Sequence, residues 1–65
     1  MRDSNRIFTV CDIFSSEWYN KCPDWRFMQL INNFVNWLGD DGFYLEDGGF
    51  IEKFQQFMEE TFRED

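Results

Sequence analysis

Residues 39–49 read "GDDGFYLEDGG", four carboxylates, four glycines and three large apolar side chains in eleven positions. Gly39 supplies the left-handed residue that stops a helix. Gly39-Asp40-Asp41-Gly42 then reverses the chain. Glu46 and Asp47 stand where carboxylates suit the positive end of a new helix, with Asp47 as its cap. The stretch is therefore a connection between two helices. Residues 43–45, "FYL", are short, apolar and extended in character, and are expected to cross as a lid or a lone strand. A calcium loop would need oxygen ligands at positions 1, 3 and 5, Gly at 6 and Glu at 12. With Gly42 at position 6 the first ligand would be Trp37, and with Gly48 there it would be Phe43. Both registers fail.

Before this connection, the periodicity predicts a helix from Trp25 to Leu38. Phe27, Met28, Leu30, Ile31, Phe34, Val35 and Leu38 cover a wide apolar arc, which predicts a central helix touching both others. Pro23 divides it from an earlier helix, Ser4 to Lys21, and Asp24 is its expected N-cap. In that earlier helix, capped by Asp3 or Ser4, residues Ile7, Val10, Cys11, Phe14 and Trp18 recur at three- and four-residue steps. After the connection, Phe50, Ile51, Phe54, Phe57, Met58 and Phe62 form one stripe of a third helix, Gly48 to Arg63. Glu64 and Asp65 stand at its negative end, where the helix dipole disfavours them. The expectation is a single small all-α domain over residues 1–65: a compact three-helix fold with a short irregular or extended crossing at 40–47.

Such a domain has little core, since a chain of this length buries only about 60% of the surface it exposes when unfolded. Nine Phe, three Trp and two Tyr in 65 residues reinforce it. Not all of them fit inside, so an exposed aromatic patch or a homodimer is compatible with the composition. Cys11 and Cys22 lie at opposite ends of a helical span about 16 Å long, which argues against a bridge between them. The start, "MRDSNRIF", carries no apolar signal core, and no stretch has the roughly 18 apolar residues of a membrane span. The expected setting is cytoplasmic and reduced.

Charge is unevenly placed. Residues 1–39 hold four acids and four bases, whereas residues 40–65 hold nine acids against Lys53 and Arg63, so the whole net charge of −7 lies in the last 26 residues. That field disfavours direct binding of nucleic acid or of an anionic membrane and steers basic partners inward. Asp40, Asp41, Glu46, Asp47, Glu52, Glu59 and Glu60 are the candidate acidic ridge. Carboxylates at i,i+4 on a helix lie about 6 Å apart, a spacing similar to that of phosphates along a DNA strand, so such a ridge can imitate nucleic acid. A second candidate surface is the opposite face of the middle helix, where Gln29, Asn32, Asn33 and Asn36 lie beside Trp25 and no charge occurs between Phe27 and Gly39. Amides can satisfy a partner's backbone without the cost of desolvating a charge. Trp25, Gln29, Asn33, Trp37 and Tyr44 are the candidate apolar and amide contacts.

Catalysis finds no footing. The chain has no His, and thus no common general base. It has no Ser–His or Cys–His pairing, no phosphate-cradling glycine loop and no zinc spacing. No enzyme activity, cofactor or metal is expected.

"MRDSNRI", "PDWRFMQLINNF" and "DDGFYLEDGGFIEKFQQF" together resemble a group of short bacterial and phage proteins of unassigned function. The resemblance spans most of the chain and implies a mobile-element origin, but no activity and no site residues. In that group a proline often follows the first acid of the motif that "FYLED" belongs to, where this chain has Asp41-Gly42. The leading expectation is a non-enzymatic interaction protein, a phage-type inhibitor of the anti-CRISPR kind. Its acidic, DNA-mimicking surface would bind a basic nucleic-acid-handling protein of the host. The alternative is an intracellular dimeric adaptor using the uncharged face of the middle helix, with charge serving only solubility. A small metal-binding protein is a third reading.

Overall fold

A computed structural model describes residues 3–63 of the chain. It has three helices, α1 (Arg6–Lys21), α2 (Phe27–Leu38) and α3 (Asp47–Thr61). No strand occurs among the described residues. The three-helix, all-α expectation holds. Arg2, Glu64 and Asp65 lie outside the described residues.

Local chemistry sets the helix ends. The Asp3 carboxylate accepts the Asn5 N–H at 3.0 Å, and Arg6, Ile7 and Phe8 each donate to the carbonyl three residues back. The chain thus enters α1 through a tight turn closed by Asp3; the expected cap is corrected, since the N-cap is Asn5, with no side-chain capping bond, and α1 starts at Arg6 and not at Ser4. The expected cap of α2 is corrected: it is Arg26, not Asp24. Trp25 donates to the Cys22 carbonyl at 3.0 Å in a turn, and its own carbonyl accepts the Trp18 indole N–H at 3.0 Å. Arg26 is extended at φ −73° and ψ 153°, so α2 begins two residues later than the periodicity predicts. Gln29 accepts the Arg26 N–H at 3.4 Å. This is half of a capping box, because a guanidinium cannot accept in return. Gly39 ends α2 at φ 77°, with its N–H on the Val35 carbonyl, as read from the sequence.

The packing differs from expectation in one respect. α3, not α2, is the central helix: it packs against both others, while the backbones of α1 and α2 stay apart. Phe54, Leu30 and Met58 are fully buried, joined by Phe34, Phe57 and Cys22. Phe54 lies 5.1 Å from Phe14 of α1, 5.5 Å from Phe34 of α2 and 5.4 Å from Phe50, centroid to centroid. Each such aromatic pair adds about 0.5–1.5 kcal/mol beyond its area. The apolar stripe of α3 is narrow but matched on both sides. The broad arc of α2 is not, and Phe27 and Met28 stay largely exposed.

Both thiols are free, Cys11 exposed and Cys22 buried. Burial pushes the Cys22 thiol up. An alkylating reagent is therefore expected to modify Cys11 rapidly and Cys22 only once the domain opens, read as one adduct and then two by mass spectrometry. Two adducts at the same rate would place Cys22 outside the core. The unfolded chain releases the Cys22 proton at lower pH than the folded one. The preference of the neutral thiol for the folded state is full below the ordinary value of about 9.0 and is lost as pH rises through the raised value of the folded chain.

Candidate functional site

The connection at 40–46 is irregular, as expected, but "FYL" is neither strand nor lid. Asp41 accepts the Phe43 N–H at 2.9 Å, and Leu45 donates to the Gly42 carbonyl at 3.0 Å, with Gly42 at φ 78°. These two turns roll the segment so that only Leu45 turns inward. Phe43 and Tyr44 are left 78% and 89% exposed, in edge-to-face contact at 4.9 Å. A lid would have required both rings to face the helices.

The acidic candidates divide into two groups. Asp47 is the first residue of α3, not its cap, and its carboxylate accepts the Arg6 guanidinium 41 positions away. The pair ties the starts of α1 and α3 together. Its partial exposure limits it to about 0.2–1 kcal/mol, but it removes Asp47 from a freely presented ridge. Asp40, Asp41, Glu46, Glu52, Glu59 and Glu60 are exposed. Glu52 and Glu59 face away from the core. They are seven positions apart, which is about 10.5 Å of helix rise, and Gln55 and Gln56 lie between them. Among the described residues α3 offers no pair of acids at the i,i+4 step. The outer face is thus sparser than a regular comb of phosphates.

The apolar and amide candidates also separate. Trp25 is half-buried against Phe62 at 5.2 Å, and Trp37 against Phe34 and Phe57 at 6.1 and 5.7 Å. Both tryptophans serve the core. Gln29 is exposed and partly spent on its cap, whereas Asn33 is half-buried. Tyr44 is the candidate that remains bare, with Phe43, which the sequence reading did not single out, beside it. The local signal was present: turn residues on both sides leave no helical face for either ring to join.

A hollow of about 310 Å³ opens between the connection and the helices, lined by Val10, Ile31, Phe34, Leu45 and Phe50, with Asp41 and Asp47 at its edge. Among the described residues, no three Cys, Asp or Glu side chains are placed to hold a metal ion. No described helix is long and apolar enough to cross a membrane.

The fold and these surfaces define a small three-helix domain with an acidic face and a bare aromatic pair. No protein-family model matches the chain, and no curated protein or solved structure does either.

Proposed function

We propose that this protein is a non-enzymatic binding domain whose acidic side engages a basic, nucleic-acid-binding protein. More narrowly, we read it as a phage-type inhibitor of the anti-CRISPR kind that occupies a groove built for nucleic acid. The observation that supports this reading is the division of charge, zero over residues 1–39 and −7 over 40–65. Asp40, Asp41 and Glu46 are exposed on the connection that carries Phe43 and Tyr44, and Glu52, Glu59 and Glu60 are exposed along α3. Carboxylates steer a basic partner and set its orientation. Tyrosine is among the residues that most often carry binding energy at an interface centre.

The test is capture from a bacterial lysate on the tagged protein, washed first at low and then at high salt. Screening shortens from about 30 Å at 0.01 M to about 3 Å at 1 M. A basic nucleic-acid-binding protein should be held at low salt and released at high salt. Capture of a partner that salt does not release would overturn the electrostatic reading and favour the amide face of α2 around Asn32 and Asn36.

A further inference from the structure

An uncovered apolar surface runs along α1. α1 buries none of its residues fully. Between α1 and α2 runs an open groove of about 410 Å³, lined by Val10, Cys11, Phe14, Trp18, Phe27 and Ile31 and floored by Phe50. Beside it Ile7, Phe8, Tyr19, Phe27 and Met28 are 50–78% exposed. On a wheel of 100° per residue, Ile7, Phe8, Cys11, Ser15, Trp18 and Tyr19 fall within an arc of about 120°. No charged side chain of α1 lies inside that arc.

We propose that this face is a homodimer interface in which the α1 helices of two copies pair antiparallel about a two-fold axis midway between Cys11 and Ser15. Three features select a second copy as the occupant. The first is self-complementarity. Reversing α1 about that midpoint sets Cys11 against Ser15, Phe8 against Trp18 and Ile7 against Tyr19. Small side chains meet at the centre, so the axes can approach to about 8 Å. Large rings close the two ends. A two-fold contact requires this kind of self-matching.

Charge is the second feature. The face is uncharged and belongs to the half of the chain whose charges sum to zero; Asp41 and Asp47, the latter paired with Arg6, edge the hollow that adjoins the groove at Val10, Ile31 and Phe50. Two copies can therefore meet along this arc of α1 without setting charged side chains face to face. A partner selected by opposite charge finds nothing to grip here. The third feature is area. Ile7, Phe8, Tyr19, Phe27 and Met28, each at least half exposed, together leave on the order of 600 Å² in water. That is most of the roughly 800 Å² that each partner buries in a standard interface.

Sedimentation equilibrium from about 10 µM to about 1 mM spans the constants of a modest interface. The mass is expected to rise from 8.0 kDa toward twice that value. Ser15→Glu places two carboxylates at the centre of the contact and should weaken dimerisation at least about 100-fold, since like charges brought together cost several kcal/mol. Thr9→Glu, on the far side of α1, should dimerise as the natural protein does. Phe8→Ala removes an exposed ring that makes no ring contact within the domain and should weaken the dimer about tenfold without loss of helicity by circular dichroism. It keeps the test valid if Ser15→Glu fails to fold. A natural protein that stays monomeric at about 1 mM overturns the proposal. So does a dimer indifferent to both Ser15→Glu and Phe8→Ala, whether held by another face or by the acidic connection.

Discussion

Phe54→Ala is expected to leave the chain largely unfolded at room temperature. Phe54 is fully buried and is the ring on which all three helices meet: Phe14 reaches it from α1, Phe34 from α2, and Phe50 and Phe57 flank it on α3. Truncating a buried Phe to Ala costs about 3–5 kcal/mol, from lost transfer energy and from the cavity left behind. A domain of this length has about 3–10 kcal/mol of stability in total. The cavity cannot close easily, because its walls are other rings held by their own neighbours. Urea unfolding followed by far-UV circular dichroism would show the loss directly, as an absent or strongly shifted transition. Phe43→Ala is the matched control. It deletes an equal ring that lies mostly in water, and should move stability by no more than about 0.5 kcal/mol. A Phe54→Ala protein with a near-natural midpoint would mean that the three helices do not share this centre.

The same ring shows what the sequence makes legible. Phe50, Phe54, Phe57 and Met58 repeat at three- and four-residue steps, and any helix carrying them must bury that side. Gly39 and Pro23 punctuate the chain where a stop and a break are required. The stripe of α3 and the number of helices can therefore be read without coordinates. Which helix is central cannot. The arc of α2 is wider than that of α3, but width counts apolar residues and not matched surfaces. Phe27 and Met28 widen the arc while remaining largely in water.

Interactions between distant positions escaped in the same way. Nothing near Asp24 reveals that the Trp18 indole will bind the Trp25 carbonyl and that Arg26 will stand extended as the cap of α2. Nothing near Asp47 reveals that Arg6 will claim its carboxylate. Both residues have the right chemistry for a cap, and neither holds that role. The acidic surface was legible as charge but not as geometry. A count of carboxylates does not distinguish the bonded Asp47 from the outward Glu52, nor does it show that α3 spaces its outer acids at seven positions. The exposure of Tyr44 was legible because it lies between turns, whereas Trp25 and Trp37 were drawn into the core by Phe62, Phe34 and Phe57.

The bonded Asp47 also decides how the acidic surface should be tested. Reversing every acid at 40–47 would break the Arg6 pair and the Asp41 turn, so lost binding could reflect lost fold. Glu52, Glu59 and Glu60 are exposed and form no hydrogen bond or ion pair with any described residue. Lysine is a good helix former, so Glu52→Lys, Glu59→Lys and Glu60→Lys together should leave α3 intact. Each reversal adds two charge units, and the net charge of −7 would become about −1, which also relieves self-repulsion. The melting temperature should hold or rise slightly. Capture of the basic partner should fall at least about 100-fold, since three attractions become repulsions at close range and each such juxtaposition costs several kcal/mol. The salt dependence of what remains should flatten, because fewer counterions are exchanged on binding. Retained capture in a folded triple variant would sink the role of α3. A further loss in Tyr44→Ala would then place the contact at the connection between α2 and α3, where the bare rings sit among Asp40, Asp41 and Glu46.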